Sequence, residues 1–175
     1  ERSILYFESD NRETRLSFSS LFNSKLSNKT TLRIGALLEN FSIESVLKDR
    51  EEQPDNDLDG DPDLNTFRDI DERLSIFQPY VQGQFRLTEK LTVNLGLHGQ
   101  YSSLSEQFVA EPRFGLNYQA GQKSTLSLGF GVHHQPVSFP ILFLSENVGG
   151  NFLQTNRELD FVRSDHYVLG YDVKL

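Results

Sequence analysis

The sequence predicts an all-β fold of about eight antiparallel strands that cross a membrane as a β-barrel, on three observations. Apolar and polar residues alternate strictly over successive segments, which is the period of a strand and not of a helix. The connections between those segments are alternately short and long. The polar face is built from Gln, Asn, Ser, Thr, Gly and His with few Arg and Glu, which suits a hydrated interior. Bulk water at a soluble sandwich would instead meet Lys and Glu.

Taken in order, the chain opens with a short strand near Ile4 to Glu8. Next, Leu16, Phe18, Phe22 and Leu26 oppose Arg15, Ser17, Ser19, Asn23 and Lys25. After an Asn28-Lys29 turn, Leu32, Ile34, Ala36 and Leu38 oppose Arg33, Gly35 and Glu39. From Phe77 to Leu87 the apolar set is Phe77, Pro79, Val81, Phe85 and Leu87, against Gln78, Tyr80, Gln82, Gln84 and Arg86. The clearest case follows, with Leu91, Val93, Leu95, Leu97 and Tyr101 on one face and Thr92, Asn94, Gly96, His98 and Gln100 on the other. Three more strands follow the same rule: Ala110 to Tyr118, Leu126 to Val132, and Tyr167 to Leu175.

Ser27 to Thr30, Thr88 to Lys90 and Gly121 to Lys123 are the short connections. The long ones are Lys48 to Arg73 and Pro136 to Asp160, with smaller members at Asp10 to Thr14 and Ser103 to Gln107. A transmembrane barrel keeps its short turns on the periplasmic side and its long loops outside, so 48–73 and 136–160 are predicted to be extracellular loops of one barrel domain covering 1–175. Tyr6, Phe7, Phe77, Tyr101, Tyr118, Tyr167 and Tyr171 fall near strand ends, where girdle residues meet lipid headgroups.

Composition narrows the function. With 175 residues and no Cys, the chain is neither a disulfide-stapled domain nor a thiolate metal site nor a thiol enzyme. Mean hydropathy is negative and no apolar run reaches about 18 residues, so helical spans are excluded while strand spans are not. Between Lys48 and Arg73 there are eleven acids and four bases, which is −7 of the net −8. The acidity therefore belongs to one loop. No Lys/Arg cluster of the kind phosphate backbones require is present, so a nucleic-acid partner is not expected. With no initiator Met and no basic-then-apolar leader, the chain reads as a mature product or an excised piece.

Two stretches carry a resemblance: Glu111-Pro112-Arg113-Phe114-Gly115-Leu116-Asn117-Tyr118, and Ser127-Leu128-Gly129-Phe130-Gly131-Val132-His133-His134-Gln135. Asn156-Arg157-Glu158-Leu159 and the run from Arg163 to Asp172 extend it. Together they resemble the barrel of TonB-dependent outer-membrane receptors, in the subfamily that begins with a carboxypeptidase-regulatory-like domain. The resemblance implies a barrel of about 22 strands with a plugged lumen, of which this chain supplies about eight. It implies a place in the bacterial outer membrane, contact with outer-membrane lipid, and uptake of a scarce ligand driven by the TonB energy-coupling complex through parts outside these residues. It also leaves room for an outer-membrane lipoprotein partner. Siderophore, oligosaccharide, peptide and vitamin transporters share the scaffold, so the ligand is not specified. Two alternatives remain: a complete eight-stranded barrel with a structural or adhesive role, and a soluble β-sandwich binding module.

Among candidate sites, Asp55-Asn56-Asp57-Leu58-Asp59-Gly60-Asp61-Pro62-Asp63 reproduces the D-x-D-x-D-G core of a calcium loop. Asp55, Asp57, Asp59, Asp61 and Asp63 would supply the oxygens, because clustered carboxylates repel one another unless a divalent cation lies among them. Thr66 stands where the bidentate Glu belongs. Two readings stay open: a Ca²⁺ site, and a solvated acidic loop. His98, His133 and His166 point to one face without a common height, which favours hydrogen bonding over a metal. Glu39, Arg86, Glu111, Arg113 and Asp172 are inward charges expected to pair with each other or with a plug. Phe139-Pro140-Ile141-Leu142-Phe143-Leu144 is an apolar run inside a long connection, costly in water and so expected to pack over the barrel mouth or against a partner. No G-x-S-x-G, H-E-x-x-H or phosphate-binding glycine loop occurs, and no enzyme is expected.

Overall fold

A computed structural model describes residues 5–50, 64–144, 146–148 and 151–174. Seven antiparallel strands form one sheet in the order β1 (Phe7–Lys25), β2 (Thr30–Asp49), β3 (Asn65–Arg86), β4 (Leu91–Ser102), β5 (Gln107–Gln119), β6 (Ser124–Gln135) and β9 (Val162–Val173). A four-residue helix, α1 (Phe139–Leu142), and a small hairpin of β7 (Glu146–Val148) and β8 (Asn151–Leu153) lie between β6 and β9. The fold is all-β and the sheet is open, with β1 and β9 at its edges. No helix among the described residues is long and apolar enough to cross a membrane.

Register follows the alternation read from the sequence. Leu91 faces Tyr118, Val93 faces Leu116, Leu95 faces Phe114 and Tyr101 faces Phe108 across β4 and β5. Phe114 then faces Phe130, and Phe130 faces Tyr167, so one apolar face runs unbroken from β4 to β9. The hairpin turns repeat one device: the carbonyls of Lys29, Lys90 and Lys123 accept the N–H of Arg86, Gln119 and Lys174 on the next strand.

The chain divides into two compact units. The first comprises Glu1–Leu16, Asn40–Leu74 and Ser138–Leu159; the second comprises Ser17–Glu39, Ser75–Val137 and Asp160–Leu175. Within the first, Phe41, Ile43, Ile70, Leu74, Leu142 and Phe143 form a buried apolar core. Its aromatic centre is Phe139, edge-on to Phe41 at 5.0 Å and tilted against Phe143 at 6.4 Å. Within the second unit the buried apolar residues are Ile76 and Val132, and a wide apolar face is open. Leu95 (48 % exposed), Leu97, Phe114, Leu128, Leu169 and Tyr171 all lie open, while Gln100, Ser102 and Glu111 are buried.

Three expectations about connections change. Residues 10–14, expected as a loop, are continuous strand within β1. The ends of the expected 48–73 loop are strand too, since β2 reaches Asp49 and β3 begins at Asn65. Cross-strand polar pairs hold the β1–β2 extension: Arg12 to Glu44 at 3.6 Å, Lys48 to Glu8 at 3.3 Å, and the Ser45 hydroxyl donating to Asn11 at 2.5 Å. Such pairs stabilise a ladder without an apolar face. The 136–160 connection is in part folded: Ser138 precedes α1, Pro140 sits in its first turn, and the apolar run packs on Phe41 inside its own unit.

Candidate functional site

The polar face of the second unit carries a buried carboxylate with four partners. Glu111 on β5 is 1 % exposed. Its Oε2 accepts from His98 Nδ1 at 2.8 Å and from Arg113 Nη2 at 2.9 Å. Its Oε1 accepts from Gln100 Nε2 at 2.7 Å and from the backbone N–H of His134. Two donors on each oxygen satisfy a group that burial would otherwise penalise heavily.

The position of this hub follows from a proline. Gln119 donates its N–H to Lys90 on β4, so odd residues of β5 bond to β4 and even residues to β6. Pro112 is even and has no N–H to give β6. The β5–β6 ladder accordingly ends at the Arg113–Gly131 pair, while β6 continues to pair with β9 as far as Gln135 and Val162. Beyond Pro112, two side chains take over the ladder's work. The Glu111 carboxylate receives the His134 N–H, and Gln100 Nε2 donates to the His134 carbonyl at 2.7 Å. An unpaired buried peptide group would cost about 1 to 3 kcal/mol, so each of these bonds guards the sheet's continuity.

The hub extends along the same face. Arg113 Nη2 lies 3.4 Å from His133 Nδ1, the His133 ring meets His166 at 4.8 Å, and Ser164 Oγ sits 2.8 Å from His166 Nε2. Beside it is a cleft of about 470 Å³. Tyr80, Gln82, Asn94, His98 and Arg113 line it together with the apolar Val81, Leu95, Leu97 and Phe114, and Gly96 and Gly115 bring no side chain to it. Tyr80 is seated by Gly35 on β2: a Cβ there would stand 2.5 Å from the tyrosine ring, so no other residue admits this side chain. The cleft offers amide, hydroxyl, imidazole and guanidinium groups beside apolar side chains, which is chemistry for holding a ligand with both polar and apolar parts.

Of the residues singled out from sequence, Glu111, Arg113 and His98 come together at the hub, and His133 and His166 meet one another. Glu39 accepts from Ser17 at 3.3 Å and from Gln78 at 3.4 Å instead. Arg86 lies in a separate small cavity, and Asp172 pairs across the ladder with Thr125. Asp55, Asp57, Asp59, Asp61 and Asp63 lie outside the described residues. Among the described residues no group of three His, Cys, Asp or Glu is placed to hold a metal ion. Gln100 and the His134 backbone were not legible as site residues; the signal available was Pro112, whose missing N–H foretells a broken ladder. Compared with protein-family models and with curated protein sequences, the chain finds no match in either.

Proposed function

We propose that this chain is a run of staves from the barrel of a TonB-dependent outer-membrane receptor, and that its function is ligand capture and passage rather than chemistry. One observation carries the reading: the second unit lays an apolar face open from β4 to β9, while Gln100, Ser102 and Glu111 on its other face are buried. A sheet in water inverts that order, whereas a barrel in lipid requires it, with hydrocarbon outside and a hydrated or plugged lumen inside. The dimensions agree. On β4 and β5 the exposed face begins at the Tyr101–Phe108 pair and ends at the Leu91–Tyr118 pair. Ten residue-to-residue steps of about 3.3 Å each, tilted by about 40°, span about 25 Å, the height of a barrel's apolar band. The open edges of β1 and β9 are where further strands of a larger barrel would pair. The resemblance in the Glu111–Tyr118 and Ser127–Gln135 stretches supplies the family, and with it the plug, the energy-coupling complex and a lipoprotein partner as proposals. In this reading the short turns face the periplasm.

The test is electrophoresis of outer-membrane fractions with and without prior heating. The expected result is a heat-modifiable species several times the 20.0 kDa of this chain. A heat-modifiable species of about that mass would replace the transporter with a small closed barrel. Recovery in the soluble fraction without detergent would sink both and leave the sandwich module.

A further inference from the structure

At the short-turn end of β1 to β4, on the polar face, lies a cavity of about 220 Å³ walled by three bases: Lys25, Lys29 and Arg86. The rest of its wall is Asn28, Gln84 and two threonines, Thr31 and Thr92. Every lining side chain therefore carries an N–H or O–H donor, and no carboxylate lines the cavity. Among the described residues none of the three bases forms an ion pair. An adjoining hollow of about 70 Å³ shares Thr31 and Gln84 and adds a fourth base, Arg33. The turn is fixed in place: the Lys29 carbonyl accepts the Arg86 N–H at 2.7 Å, and the Lys29 N–H bonds to Ser27 Oγ at 3.1 Å. The backbones of Lys29 and Arg86 are thus tied to one another, which keeps these two bases beside the same space.

Three cations around one small space repel one another unless an anion lies among them. We infer that this cavity is a phosphate-binding site, taking the phosphate group of a free small molecule or of a lipid headgroup. A phosphate brings up to two negative charges and several acceptor oxygens, against three cations and four neutral donors. The arginine fork suits two of those oxygens, and the lysines act as point charges. A carboxylate, with two oxygens and one charge, would leave most donors idle. The inference stands on the cavity's own chemistry and does not depend on the transport reading.

The experiment is calorimetric titration of inorganic phosphate into the purified full-length protein in detergent at low salt. Saturable binding is expected, weakened at least tenfold in Arg86→Gln and in the double variant Lys25→Gln/Lys29→Gln. Lys90→Gln, which removes the same charge outside the cavity, is expected to bind as the unsubstituted protein does. These substitutions are at exposed positions, and circular dichroism checks that each variant keeps its sheet. No saturable binding by the folded protein would overturn the site. So would equal weakening by Lys90→Gln, since the effect would then be general surface charge. Repeating the titration in phosphatidylcholine nanodiscs with and without phosphatidylglycerol separates the sources. Competition by the anionic lipid assigns the headgroup, and undiminished phosphate binding assigns the free molecule.

Discussion

On one strand, β2, Leu38 is 36 % exposed and Phe41 is 9 % exposed. Both are large and apolar, and they differ in parity. Leu32, Ile34, Ala36 and Leu38 are even-numbered, with Ile34 and Leu38 exposed, whereas Leu37, Phe41 and Ile43 are odd-numbered, with Phe41 and Ile43 buried. The sequence itself changes which face is apolar. In the second unit this leaves an open apolar face; in the first it builds an ordinary core from Phe41, Ile43, Ile70, Leu74, Leu142 and Phe143. The lesson is that one continuous strand can present an open apolar face along one stretch and a buried one along the next, and the parity of its apolar residues says where the change occurs.

The comparison breaks most sharply at Phe143, which is 1 % exposed. Phe143→Ala removes the ring stacked with Phe139 and is expected to cost about 4 kcal/mol of local stability. Hydrogen exchange of the Ile141 and Leu142 amides, both bonded to the Ser138 carbonyl, is the measurement. The ladder between β4 and β5 should be unaffected. Faster exchange throughout the sheet would mean that the two units open together and that the contrast between them is only one of composition.

In the second unit the corresponding lesion is polar. Glu111→Ala strands His98, Arg113, Gln100 and the His134 N–H around an empty space, at an expected cost of about 3 kcal/mol. Denaturant unfolding of the reconstituted protein measures it. Gln100→Ala, which frees only the His134 carbonyl and one carboxylate contact, should cost about 1 kcal/mol. Equal costs would show that the carboxylate has no special part in closing the gap beyond Pro112.

The open face supplies the test that tells its solvent. Leu95 lies near the middle of the apolar band, and Leu95→Lys is expected to cost about 2 kcal/mol in a bilayer. The same change on a face that meets water would stay within about 0.5 kcal/mol. Ile141→Lys in the first unit, at an exposed position of α1, should fall in that smaller range. If Leu95→Lys also does, the exposed face does not meet hydrocarbon and the open apolar face needs another explanation.

How far the sequence was legible depended on the same asymmetry. Strands Leu91 to Tyr101 and Ala110 to Tyr118 were plain, because an apolar environment on one side imposes strict alternation. The Asp10 to Thr14 stretch of β1 carries no such pattern, because polar residues occupy both of its faces and meet polar partners across the ladder, as in Arg12–Glu44. Glu111 and Arg113 were visible as charges on an inward face. Their partners Gln100 and the His134 backbone were not, because the contact arises from a ladder that stops at Pro112, and spacing along the chain does not reveal which strand a side chain reaches across.

The smallest expected effect concerns what keeps the 138–159 segment on its core. Arg157 Nη1 pairs with Glu72 at 2.5 Å, and its guanidinium lies 6.0 Å from the centre of the Phe143 ring. The Arg157 side chain is 39 % exposed, so the ion pair is partly screened by water and worth well under 1 kcal/mol. Its stacking on the ring adds a contribution of similar size that salt does not screen as strongly. Arg157→Ala should therefore lower local stability by about 1 kcal/mol, seen in exchange of the Phe143 N–H, which bonds to the Phe139 carbonyl at 3.0 Å. Arg157→Lys keeps the charge but loses the planar fork and most of the ring contact. At low salt it should recover part of the loss, and at high salt it should resemble Arg157→Ala. If instead neither variant differs from the parent chain at any salt, the aromatic cluster alone holds the segment, and the first unit owes its order to apolar burial without electrostatic help.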